Sequence, residues 1–228
     1  MLRRAVAVAL ASGALLVPAV PGHAETREPL TTFVPLPAAP AVPADVRAVR
    51  DELLGDRWDD PGAVTLHWTG VSSFVITIGG HLLLFDAWEI IGAVDDYLPL
   101  GREELAALDP EAVLVGHGHF DHAGDLGYVA GRSGAVVVGS EEICTVAVEG
   151  AQREGVGTDF RCAITGTAIS PAPGTAQSLT LFADLPPVTV LQHVHSAARP
   201  PSEENELDPF FPVMDVEPYL THLADDPE

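Results

Sequence analysis

Lysine is absent: all 11 basic residues are arginine, set against 33 acidic ones, and the formal net charge is −22. A surface of that sign repels a polyanion nearly everywhere, which argues against nucleic acid as a partner and leaves solubility as the role of the acidic residues. Cysteine is almost as scarce, with Cys144 and Cys162 alone. Two sulfurs build neither a Cys-rich zinc knuckle nor an iron–sulfur cluster, so any metal must sit on histidine and carboxylate. The pair is 18 positions apart and suits one disulfide in an oxidising compartment, worth roughly 3 kcal/mol by loop entropy, with a buried thiol as the alternative. A Gly-x-Ser-x-Gly elbow is missing and nothing beside Cys144 would activate its thiol, which sets aside serine and cysteine hydrolase chemistry. An apolar run long enough to span a bilayer is missing too: the stretch from Ala5 to Val20 falls short of the ~20 residues required and is interrupted by Pro18.

That stretch follows a basic start, Met1-Leu2-Arg3-Arg4, and ends in Gly22-His23-Ala24, the small-x-small form that signal peptidase cuts. Residues 1–24 therefore read as a signal peptide, with a mature chain starting at Glu25, a secreted or extracytoplasmic location and no integral span after cleavage. Residues 25–44 carry Pro29, Pro35, Pro37, Pro40 and Pro43, a density that prevents helix or central strand and predicts an extended arm. Residues 45–228 are of a length that suits one domain with its own core.

Within that domain the hydrophobic period changes several times. Val46, Val49 and Leu53 recur at helical spacing over residues 45–57, and Asp59-Asp60-Pro61-Gly62 closes the element. Residues 63–68, 73–78 and 81–85 are β-rich, the last two joined by Gly79-Gly80 as a tight hairpin, with Asp86 projecting from the strand end. A helix over 102–108, a short apolar strand over 112–115, a helical face over 123–130, a strand over 135–138 and a helix over 141–153 come next. Strands are predicted again over 179–182 and 188–194, then a polar, proline-rich surface loop, and a last short helix over 216–224.

Directly after the strand at 112–115, residues 117–122 read His-Gly-His-Phe-Asp-His. His117 and His119 are two apart, so in an extended loop both imidazoles leave on one side and can grip one ion, while Phe120 points away. Asp121 and His122 come where the chain turns into a helix and can face a second ion a few ångströms off. Two ions ~3.5–4 Å apart can share a water and bring its pKa down to ~7, so a metal-bound hydroxide can serve as nucleophile without serine. Ester, lactone, amide and phosphodiester bonds are all open to such a site. A solvated loop or a structural metal site is the plainer alternative, but a structural zinc is normally closed by four protein ligands.

The segment AVLVGHGHFDH, residues 112–122, resembles the His-x-His-x-Asp-His signature of the metallo-β-lactamase fold superfamily. Trp68-Thr69-Gly70, the hairpin and Leu84-Phe85-Asp86 are similar to the opening strands of its lactonase-like and phospholipase-D-like branch, although Ala87 stands where proline is more usual. The resemblance implies an α/β (α+β) fold of the αββα sandwich type, two zinc ions, and a small-molecule or lipid-like substrate. It also implies that Asp86 steadies the metal loop and that a histidine ending a later strand joins His117 and His119. Val190-Leu191-Gln192-His193-Val194-His195-Ser196 offers two candidates, of which His195 is preferred as ligand and His193, on the same strand face, as a contact behind the site or to substrate. Asp121 is expected to orient the water or relay a proton, as well as bind metal. His67, His81 and His222 have no such support and read as packing or surface residues.

The resemblance covers roughly residues 63–196, and the family's later strands, with a bridging aspartate and a final histidine, have no counterpart among Asp208, Asp215 and His222. A domain lacking its last strands is therefore expected. Two functions are consistent with this pattern: an exported metal-dependent hydrolase, or a non-catalytic, exported metal-binding or interaction protein that kept the first half of such a fold.

Overall fold

The computed structural model describes residues 33–88, 100–166 and 176–192. Residues 1–24, read above as a signal peptide, the start of the proline-rich arm and everything after residue 192, including the predicted loop and the predicted helix at 216–224, lie outside them. Helix α1, Ala44–Leu54, begins directly after Pro43 and stops at Gly55, whose φ of 78° turns the chain before the predicted end at Arg57. Its Arg50 is buried, lies 5.0 Å over the Trp58 ring, and donates to the carbonyl oxygens of Leu108 and Asp109, both at 2.9 Å. Those carbonyls close helix α2, Arg102–Ala107, so a cation sits where the helix dipole favours one.

Strands β1 (Val64–Gly70), β2 (Ser73–Ile78) and β3 (His81–Phe85) form an antiparallel meander close to the predicted runs. Gly79 and Gly80 have φ of 61° and 88°, the left-handed pair that a two-residue hairpin requires. From β3 the sheet turns parallel through β4 (Ala112–Leu114), β5 (Val136–Ser140) and β6 (Cys162–Gly166), in the spatial order β1-β2-β3-β4-β5-β6. The connection from β4 to β5 carries α3 (Phe120–Ala123) and α4 (Leu126–Ser133), and α5 (Glu141–Glu154) precedes β6. Ser140 caps α5 by accepting the Ile143 N–H.

Side-chain alternation sends Val75, Leu82, Leu84, Val113 and Val137 to one sheet face, where they pack with Leu105, Leu108, Leu126, Val129 and Ala147 of the helices. Leu83, Ala112, Val136, Val138 and Ala163 pack on the opposite face against Leu179, Leu181 and Phe182. Helices α4 and α5 approach so closely that a Cβ on Gly127 would lie 2.4 Å from the Ala151 nitrogen. Beyond the second face lies a two-stranded antiparallel sheet, β7 (Ala176–Leu179) and β8 (Val188–Leu191). Helices on one face of a mixed sheet and a second sheet on the other give the layering of a metallo-β-lactamase-like αββα fold.

The expectation fails in three places. The strand placed at 179–182 lies at Ala176–Leu179, because Leu181 and Phe182 are taken up by the core and by the arm: Leu36 donates to the Leu181 carbonyl at 2.8 Å and accepts from Ala183 at 2.9 Å. Strand β6 has no counterpart among the elements expected from the hydrophobic pattern. The helical face placed at 123–130 is two helices, α3 and α4, and the first begins inside the histidine motif at Phe120.

Two non-local ties reinforce the layers. Cys144 of α5 and Cys162 of β6 form a disulfide with Cα atoms 6.1 Å apart. His81, fully buried, is held between Glu111 (2.9 Å from Nδ1) and Asp184 (2.8 Å from Nε2), so it serves as a packing residue that links β3 to the segment between β7 and β8.

Replacing both cysteines by serine should lower the unfolding free energy by about 3 kcal/mol, read from urea denaturation of the oxidised parent and the variant. The hydrogen bond from His81 holds the Asp184 carboxyl below its usual pKa. A group so depressed adds stability above its unfolded value of ~3.9 and loses it as pH falls through the folded one. Asp184→Asn should therefore lower stability at neutral pH and flatten its fall below about pH 4, measured by thermal melts across pH.

Candidate metal centre

Parallel strands β3 and β4 end side by side, and the polar residues at their C-terminal ends face one another. Asp86, directly after β3, has φ of 59° and is 1% exposed. A non-glycine residue in that region persists only where its surroundings hold it. Its N–H donates to the Leu114 carbonyl at 2.8 Å, and its Oδ1 accepts the Gly116 N–H at 2.7 Å. Its Oδ2 lies 2.6 Å from His122 Nδ1 and accepts from the Ser72 hydroxyl at 2.7 Å. Ala87 ties down α3 and the turn after it: the Ala87 N–H donates to the His122 carbonyl at 2.8 Å, and the Ala87 carbonyl accepts the Asp125 N–H at 3.0 Å. A proline at position 87 would lack the first of these donors. Trp88 meets Phe120 edge-on at 5.8 Å.

His117, Asp121 and His122 offer ligand atoms that all lie within 4.8 Å of one another, the one such group of three or more among the described residues. His119 adjoins it, its Nδ1 3.0 Å from His117 Nε2. His122 Nε2 faces Asp121 Oδ2 at 3.8 Å. The sequence pairs His117 with His119 and Asp121 with His122; the structure also brings His117 to the second pair, its ring 3.8 Å from that of His122. His193 and His195 lie outside the described residues.

The donor set fits a hydrolytic ion. Its donors are imidazole nitrogen and carboxylate oxygen, the borderline ligands that zinc accepts, and bonds of 2.0–2.1 Å in a tetrahedron put ligand atoms about 3.3 Å apart. The observed 3.0 and 3.8 Å bracket that spacing. The cluster is partly open, with the Asp121 side chain 36% exposed and that of His122 16%, whereas Asp86 behind them is sealed. A buried carboxylate on the far ring nitrogen orients a metal-binding histidine and raises its basicity. Ser72, in the turn between β1 and β2, is a site residue that sequence reasoning misses. A serine in a turn carries no signal until the hairpin register brings it across from Asp86.

A parallel sheet that ends in a cluster of histidine and carboxylate donors defines a class of site, and the comparisons name the family. Residues 66–196 match the family model of the metallo-beta-lactamase superfamily, and the chain belongs to that superfamily. Curated relatives named UPF0173 metal-dependent hydrolase include one from Pyrobaculum neutrophilum, 33% identical over 78 residues, which are 34% of this chain and 33% of that protein. One from Myxococcus xanthus is 37% identical over 83 residues, 36% of this chain and 28% of the relative. One from Cereibacter sphaeroides is 36% identical over 90 residues, 40% of this chain and 38% of the relative. The chain thus spans about a third of the length of the curated relatives it matches.

Asp86→Asn would turn an acceptor for three donors into a group that itself donates. The metal-free variant should lose about 3 kcal/mol in urea unfolding; a loss below ~0.5 kcal/mol would contradict the role given to Asp86.

Proposed function

We propose that this chain is an exported, zinc-dependent hydrolase acting on an ester, lactone, amide or phosphodiester bond of a small-molecule or lipid-like substrate. The observation that carries this reading is the convergence of His117, Asp121 and His122, with His119 adjoining, in front of the buried Asp86. The names of the superfamily relatives support it. His117, His119 and His195 would hold one ion, and Asp121 and His122 a second. Metal held there would supply Lewis-acid polarisation of the scissile oxygen and a water acidic enough to ionise near neutral pH.

The chain's own residues do the rest. Asp86, accepting from His122 Nδ1, keeps the lone pair of Nε2 turned toward Asp121. Asp121, on the open side of the cluster, would take a proton from the attacking water at Oδ2 and pass it to the leaving group. His193 would contact substrate or stand behind the site as a supporting contact. Residues 1–24 would direct export and leave Glu25 as the first residue of the mature protein.

Purified full-length protein should contain about two zinc ions per chain by elemental analysis and hydrolyse a generic ester, lactone or phosphodiester until a chelator is added. His119→Ala should abolish that turnover. Zinc content of one or none without turnover would favour the non-catalytic metal-binding protein instead.

A further inference from the structure

We propose that Ser72 is a positioning residue that aims His122 at the metal; the inference rests on the metal-dependent reading of the site. Ser72 Oγ, His122 Nδ1 and Asp86 Oδ2 form a closed triangle with sides of 2.8, 2.6 and 2.7 Å. The Ser72 hydroxyl proton goes to Asp86, so the serine lone pairs are what His122 Nδ1 meets. Both oxygens around Nδ1 are then acceptors, the proton stays on Nδ1, and Nε2 keeps its lone pair for an ion. A carboxylate alone would restrain the ring along one line. The serine adds a second point and removes the freedom to swing about the first.

The turn that carries Ser72 is built at some cost. Val71 has φ of 45° and Gly70 φ of 126°, and the strand register shifts between Trp68 and Gly70. A β-branched residue at positive φ is an outlier that its surroundings must hold. Trp68 holds it here, its indole N–H donating to the Val71 carbonyl at 2.9 Å. Val71 and Asp86, two of the three non-glycine residues at positive φ among the described residues, thus flank the same triangle. Strain at both ends of one hydrogen-bonded unit fits a device that fixes a ligand's direction.

The test uses the full chain, zinc alone as probe, and competition with a chelating dye. Ser72→Ala should weaken zinc binding roughly tenfold, the lower range for loss of a partner behind a metal-binding histidine, and Ser72→Thr, which keeps the hydroxyl, should restore it. In a His122→Ala background the same Ser72→Ala change should cost nothing further, whereas a merely structural role would weaken binding in both backgrounds alike. Ser72→Cys, nearly isosteric with a weaker donor, carries the comparison if the alanine variant does not fold. Unchanged affinity in S72A, or a loss that persists without His122, overturns the proposal while leaving the metal centre standing. A parent chain that takes up no zinc overturns both.

Discussion

The site depends on one buried carboxylate. Asp86 accepts from the β1–β2 turn through Ser72, from the start of the metal loop through Gly116, and from α3 through His122. A carboxyl group taken out of water is costly unless hydrogen bonds replace its hydration, and these three contacts are that replacement. The same contacts give Asp86 its reach. Three segments distant in sequence are set against each other by a side chain with almost no exposure, so the histidines of the metal loop inherit a fixed frame.

That frame is anchored in the parallel part of the sheet. Strands β3, β4 and β5 are buried on both faces, by helices through Leu84, Val113 and Val137 and by the second cluster through Leu83, Ala112, Val136 and Val138. Such strands do not slip, because a shift of one residue would exchange the two faces. Loops that leave their ends are therefore held at one end by rigid scaffold, which is where chemistry is commonly placed. His81 and the Cys144–Cys162 bridge serve the same rigidity at the opposite end and flank of the sheet.

Much of this is legible in the sequence where the signal is local. The β1 to β3 meander is set by residue type and the Gly79-Gly80 turn, and α5 is signalled by Glu141 and Glu142, acidic residues that suit a helix N-terminus. The motif from His117 to His122 announces its donor chemistry by residue type alone. What escapes is non-local. Strand β6 is short and has meaning only as a partner of β5, and the arm claims Leu181 and Phe182 by pairing through Leu36. Ser72 needs the register of a strained turn, and His81 needs carboxylates 30 and 103 residues away. His193 and His195 lie outside the described residues.

The central claim is that the loop after β4 is a metal centre oriented from behind by Asp86. Anomalous diffraction at the zinc edge from zinc-loaded crystals of the full chain tests it most directly. Peaks about 2.0–2.2 Å from His117 Nε2, His119 Nδ1 and His122 Nε2, with Asp86 still on His122 Nδ1, are the predicted result. Zinc bound elsewhere, or at the loop through His122 Nδ1 with the contact to Asp86 broken, would contradict it.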